Sequence, residues 1–289
     1  MNLPYLNDEA LETFIERALI EDIGTGPAAG DHSTLASVPE GANSQARLLI
    51  KDSGTLAGVE MALAIFRQVD QKLSTKVTIS DGKLVKPGDV AFVLSGPARS
   101  ILTAERLALN CMQRMSGIAT YTCKLKKLIE GTGAKLLDTR KTTPNFRIAE
   151  KWAVAIGGGT NHRYGLFDMV MLKDNHIDFG GGITKTVEAT TRYLEEKDLE
   201  IRIEVETRNL EEVREAVGTN KVDVILLDNM SPETMTEAVK LIDGRCQTEA
   251  SGGITEDTIR AAAESGVDFI SVGALTHSAG SLDMSLKAF

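Results

Sequence analysis

Cysteine is scarce in this 289-residue chain: Cys111, Cys123 and Cys246 are odd in number, widely spaced and never form C-x-x-C. That argues against a disulfide framework and suits a reducing compartment such as the cytoplasm. Basic charge is short as well, with 32 Lys+Arg against 41 Asp+Glu and a net charge of −9. A general nucleic-acid or anionic-membrane surface, which needs diffuse positive charge, is therefore not expected. No apolar run approaches the roughly 20 residues that span a bilayer. The opening "MNLPYLNDEALETFIERALIEDIG" carries acids where a secretory leader would carry basic residues. Low-complexity tracts and solenoid repeats are also missing.

What is present is ordinary for a globular protein, 42% hydrophobic and 25% charged. Residues 8–20 show helical spacing of Leu11, Phe14, Ile15, Ala18 and Leu19 behind Asp8 as N-cap. "GTGPAAGDHST" reads as a loop over 24–34. Between about residues 44 and 96, short β-branched runs broken by D-G and P-G-D turns flank a helix near 59–70. Residues 100–130 form a long amphipathic stretch that Gly117 is expected to interrupt.

From Ala134 the rhythm is strand, polar tip, helix. The strands are "AKLLDTR", "FDMVMLK", "IRIEVE", "KVDVILLD", "CQTEASG" and "VDFISVGA". Helix starts are signalled by Pro144, by Ser231-Pro232, and by Thr255 before Glu256 and Asp257. Apolar strands alternating with helices imply a parallel sheet covered by helices. The expected fold is α/β: an N-terminal α+β sandwich domain over 1–115, then an α/β barrel of about six parallel strands over 116–289. The extreme C-terminus is expected to pack back on the N-terminal domain.

In parallel barrels, reactive groups sit where the strands end. The ends here are Asp138-Thr139-Arg140-Lys141, Lys173-Asp174-Asn175, Glu204 with Glu206, Asp228-Asn229, Ser251-Gly252-Gly253 and Gly273-Ala274. One polar strand end is merely a place where chain meets water. Six in register point to a shared pocket. Its cations, Arg140, Lys141, Arg163 and Lys173 with His162 beside them, suit carboxylates or phosphates, although a basic residue taken singly is more often half of a surface ion pair. Glu204 and Asp228 could hold Mg²⁺, accept sugar hydroxyls or pair with those cations. The glycines of "SGG" and "VGA" offer backbone N–H groups to a phosphate, or mark simple turns. "GGGTNHR" has no strand before it and no ribose-binding acid after it, so it is not a dinucleotide fingerprint. His162 has no second His or Cys at ligand spacing.

Taken together, "LLDTRKTTPNFR", "GGGTNHRYGLFDMVMLKDNHI", "IEVET", "ILLDNM", "SGGI" and "SVGALTHS", with "KPGD" and "AERLALNCMQRMSGIAT" upstream, closely resemble the quinolinate phosphoribosyltransferase family over nearly the whole chain. The resemblance implies transfer of phosphoribosyl from phosphoribosyl pyrophosphate, with Mg²⁺, to quinolinate. Nicotinate mononucleotide, pyrophosphate and CO₂ would be released, a step of NAD biosynthesis. It implies substrate contacts by Thr139, Arg140, Lys141, His162, Arg163 and Lys173. It assigns catalytic roles to Lys141, Lys173, Glu204 and Asp228, with Glu204 and Asp228 near the metal directly or indirectly. Phosphate would be held by Ser251, Gly252, Gly253, Gly273 and Ala274. Arg106 matches an arginine that the partner subunit contributes, which implies a homodimer with shared active sites, or a higher oligomer built from it. The loop "GTGPAAGDHST" is longer than the family's short G-D-x-T turn.

Three rivals stand beside that reading. A lysine at a barrel strand end, Lys173, could form a Schiff base as in aldolases. The same fold could serve another anionic acceptor, such as nicotinate. The pocket could also sense a phosphorylated ligand without turnover.

Overall fold

The computed structural model describes residues 3–289, which divide into two compact units. In chain order the elements begin α1 (Asp8–Ile23), α2 (His32–Ser37), β1 (Asn43–Ile50), β2 (Gly54–Thr55), α3 (Val59–Val69), β3 (Ser74–Val77), β4 (Leu84–Val85), β5 (Val90–Pro97) and α4 (Ala98–Leu128). They continue β6 (Lys135–Leu137), α5 (Arg147–Ile156), β7 (Val170–Leu172), α6 (Asp174–Gly180), α7 (Ile183–Lys197), β8 (Ile203–Thr207), α8 (Leu210–Gly218) and β9 (Val224–Asp228). The chain ends α9 (Pro232–Ile242), β10 (Gln247–Ser251), α10 (Ile259–Glu264), β11 (Phe269–Ser271), α11 (Ala274–His277) and β12 (Met284–Ala288).

The first unit comprises residues up to 123 together with 142–158 and 275–289. Its antiparallel sheet has the order β12-β1-β5-β3, so the last strand of the chain pairs with the first. Alternation along β1 and β5 buries Ala46, Leu48, Ile50, Phe92 and Leu94. Met61, Ile65 and Phe66 of α3 complete that core, and the Phe66 and Phe92 rings meet edge-on at 5.6 Å. Each of these side chains larger than Ala46 stabilises the fold by about 1.5–3 kcal/mol relative to exposure. The domain boundary expected at 115/116 falls inside α4; the C-terminus packs back on the first unit through β12, as expected, and α5 belongs to that unit too.

Several local expectations change. The cap of α1 is Asn7, whose Oδ1 accepts from the Ala10 N–H at 2.9 Å; Asp8 opens the first turn instead, where its charge suits the helix N-terminus. The stretch 24–34 is not all loop: a 3₁₀ turn spans Gly26–Ala28, and Asp31 caps α2. Gly117 does not interrupt α4, which runs unbroken from Ala98 to Leu128. A Cβ at 117 would lie 1.9 Å from the carbonyl oxygen of Gly280, so this glycine lets another segment approach the helix. α5 starts at Arg147 behind Phe146 rather than at Pro144, and α10 starts at Ile259 behind Thr258 rather than at Thr255.

The second unit, 124–141 with 159–274, contains six parallel strands in the order β6-β11-β10-β9-β8-β7. Val224, Ile225, Leu226 and Leu227 of β9 are all buried, as expected for a strand covered on both faces. Among the described residues β6 and β7 share no ladder. The sheet instead extends past β6 through a parallel bridge between Leu137 and Thr160. That bridge delivers residues 161–163 beside the end of β6. Ser231 caps α9, accepting from the Thr234 N–H at 3.2 Å with Pro232 at the first helical position, as its sequence signals.

Candidate active site

β6 stops at Leu137, and the next side chain, Asp138, is fully buried. Its Oδ1 accepts from the His162 N–H at 2.9 Å, and its Oδ2 accepts from Asn161 Nδ2 at 2.6 Å. One carboxylate thereby fastens the 161–163 segment to the β6 end. Thr139 turns the chain, its Oγ1 accepting from the Lys141 N–H at 3.0 Å, and Lys141 is exposed beyond it. Arg140 and Arg163 are partly buried and near each other. The Arg163 guanidinium is held below its ordinary range by burial and then by the Arg140 charge, against the pull of Glu204 and Asp168. Arg140 Nε is buried without a hydrogen-bond partner. Two like charges and an orphaned donor form a strained arrangement that an anion would relieve.

Lys173 follows β7 and is exposed; its backbone N–H donates to His176 Nδ1 at 3.0 Å. On the next strand, Glu206 is half-buried. Burial pushes its carboxyl up, Lys173 draws it back down, and the Asp228 and Asp174 charges add to the rise. Asp228 ends β9 and accepts from Asn229 Nδ2 at 2.8 Å. Ser251 ends β10, and its carbonyl accepts the Asn229 N–H at 2.9 Å. Gly252 adopts φ +91°, and a Cβ there would lie 2.3 Å from Asn229 Oδ1, so only glycine fits this approach. Gly273 and Ala274 follow β11. Thr139, Arg140, Lys141, His162, Arg163, Lys173, Glu204, Asp228, Ser251, Gly252, Gly253, Gly273 and Ala274 thus all belong to the strand-end layer or the layer beneath it in the second unit. Arg106 is exposed on α4 in the first unit.

Glu204 stands one layer lower than the sequence suggests. It is the second residue of β8, completely buried, with Oε2 at 2.9 Å from His162 Nε2. The other oxygen, Oε1, is buried without a hydrogen-bond partner. Glu249 of β10, which the sequence reading overlooks, lies with Oε2 at 3.5 Å from the same His162 nitrogen. Its signal was an acid in the middle of a buried strand, two residues before Ser251, so on the same face. Burial first, then the Glu204 charge, push the Glu249 carboxyl up to about 8.

Comparison with known proteins places these residues in a family. The model for the quinolinate phosphoribosyl transferase C-terminal domain matches residues 118–287, and that for the N-terminal domain matches residues 31–116. The chain is 46% identical over 292 residues to a chloroplastic nicotinate-nucleotide pyrophosphorylase (carboxylating) of Arabidopsis thaliana, covering 96% of this chain and 82% of that one. A probable enzyme of the same name from Bacillus subtilis is 39% identical, with 97% and 94% covered. The crystal structure of NadC from Streptococcus pyogenes superposes with a TM-score of 0.90 at 38% identity, covering 98% of this chain and 97% of that one.

Proposed function

Because the chain belongs to the quinolinate phosphoribosyltransferase family, we propose that it transfers phosphoribosyl from phosphoribosyl pyrophosphate to quinolinate with loss of CO₂, a step of NAD biosynthesis. The observation that carries this reading is the Arg140–Arg163 pair with its orphaned Nε, a dianion's site within an acidic chain. Desolvated guanidinium groups bind a pyridine dicarboxylate through charge-assisted hydrogen bonds. Lys141 and Lys173 neutralise carboxylate and departing pyrophosphate; Ser251, Gly252, Gly253, Gly273 and Ala274 hold the 5-phosphate through backbone N–H groups.

The pyridine nitrogen attacks C1 of the ribose as the bond to pyrophosphate breaks. Negative charge gathers on the leaving group and positive charge on the sugar. Asp228, at a strand end, orients the sugar hydroxyls, and the negative charge of buried Glu204 favours the cationic sugar from below. CO₂ then departs, leaving the bonding electron pair on the ring carbon, where the positive charge of the adjacent pyridinium nitrogen stabilises it until solvent supplies a proton to that carbon. No protein nucleophile is consumed; positioning and preorganised charge supply the acceleration.

Magnesium, when bound with phosphoribosyl pyrophosphate, supplies charge neutralisation on the diphosphate. Asp228, half-buried at a strand end, suits a hydrated Mg²⁺ that keeps several waters. Glu204 does not, because its carboxylate is sealed against His162.

The assembly proposed is a homodimer in which Arg106 completes the neighbour's site. No helix of the described residues is long and apolar enough to cross a membrane. Three free cysteines fit the reducing cytoplasm. A Schiff-base role for Lys173 is disfavoured, since such lysines work in desolvated pockets and this one is exposed beside carboxylates. The deciding experiment mixes quinolinate, phosphoribosyl pyrophosphate and Mg²⁺ and follows pyrophosphate and CO₂ together. Equimolar release supports the reading. Pyrophosphate without CO₂ would mean a different acceptor chemistry, and neither product would leave a sensor.

A further inference from the structure

Beneath the strand ends, three groups from three segments converge: His162, Glu204 and Glu249, with ligand-type atoms all within 4.8 Å of one another. The set has the make-up of a metal site, but the histidine rules that out. Its Nδ1 accepts the Arg163 backbone N–H at 2.8 Å. A nitrogen that accepts carries no proton, so the neutral ring holds its proton on Nε2, the atom facing both carboxylates. A metal ion would need the lone pair where that proton sits.

One imidazole N–H cannot quiet two ionised carboxylates. Both glutamates are buried, at 0% and 2% exposure, and like charges so placed cannot both stay ionised. The His162 N–H serves Glu204, at 2.9 Å, rather than Glu249, at 3.5 Å, so Glu249 is the carboxyl left without that donor, and burial beside Glu204 pushes it up. The second proton therefore belongs to Glu249.

We infer that Glu249 is a positioning residue that stays a neutral carboxylic acid, donating its proton to Glu204 and, together with His162, fixing that carboxylate as a single buried negative charge beneath the strand ends. This rests on the reading of Glu204 as a group that stabilises the cationic ribose.

Glutamine copies the shape and the donor of a protonated glutamate, so E249Q should retain kcat within about threefold, whereas E249A should lose about 10²-fold or more in kcat with little change in KM for phosphoribosyl pyrophosphate. E249Q as inactive as E249A, with native melting behaviour, would mean that an ionised Glu249 is required and would overturn the inference. Infrared difference spectra between wild type and E249Q read the proton directly and need no turnover. The expected result is a protonated-carboxyl carbonyl band present in wild type and gone in E249Q. A wild type showing only carboxylate bands there overturns the inference even if E249A fails to fold. If wild type turns over no quinolinate, the functional reading fails while the infrared result still decides the state of Glu249.

Discussion

Arg114 of α4 sets its Nε and Nη2 on one oxygen of Glu150 in α5, at 3.2 and 3.0 Å, and that carboxylate is completely buried. Glu150 also accepts from the N–H and Oγ1 of Thr143 at 2.9 and 3.0 Å. Nη1 of Arg114 donates to the carbonyl of Ala279, and Nη2 donates to that of Thr276 as well. One ion pair thus joins three segments of the first unit that are far apart in sequence. Arg114→Met would leave a buried negative charge without its partner, so stability should fall by about 3–5 kcal/mol. Arg114→Lys should recover little, because a point charge cannot reproduce the fork. Urea denaturation of both variants checks this; a midpoint near wild type for Arg114→Met would show the pair to be idle.

Lys141→Ala should separate activity from stability. The side chain is exposed past a strand end, so no core is disturbed and the melting temperature should move by less than about 2 °C. Turnover should drop by about 10²-fold, because a charge facing the anionic substrates is removed. Steady-state kinetics and calorimetry on one preparation measure both. Large destabilisation with retained turnover would make Lys141 structural.

Shared sites predict complementation. Arg106→Ala and Lys173→Ala should each be nearly inactive alone. After subunit exchange, demonstrated with two tags, mixed dimers should carry both lesions in one pocket and none in the other, and activity should return. Proven exchange without recovery would place each site within one chain.

Asp81 gives a pH signature for the first unit. Its carboxylate accepts from the Val59 N–H at 2.8 Å at the start of α3, yet burial pushes its carboxyl above the ordinary 3.8. The folded state then holds the proton more tightly than the unfolded state. The stability contributed by that proton is complete below 3.8 and lost as pH rises through the raised value. Asp81→Asn has no such proton to lose. Its melting temperature relative to wild type should therefore be more favourable at neutral pH than at mildly acidic pH, and a difference independent of pH would contradict the burial argument.

The parallel sheet was legible because β-strand cores are written in runs such as "VILLD", and its polar ends because charge there interrupts those runs. Gly117 was misread as a break, since a sequence cannot say whether a glycine bends its own helix or admits another backbone, here Gly280. A single boundary near 115/116 also leaves unseen that α5 joins the first unit, because its ties to α4, such as Arg114 to Glu150, form only in three dimensions. Glu204 lies deeper than the strand end at which the sequence sets it, and Glu249 beside it was overlooked. Counting strand ends identifies polar rims, whereas a protonated acid lower down shows itself only when two carboxylates and a histidine are seen together.

The pairing of β12 with β1 has a temporal meaning as well. Residues 284–288 fill the edge of a sheet that residues 43–50 begin. On the ribosome, β1 emerges long before its neighbour is made, and it waits with one row of backbone hydrogen-bonding groups open to any other extended chain. A messenger that stops before codon 284 would fix the protein in that waiting state, with its six parallel strands all present and its first sheet open to aggregation.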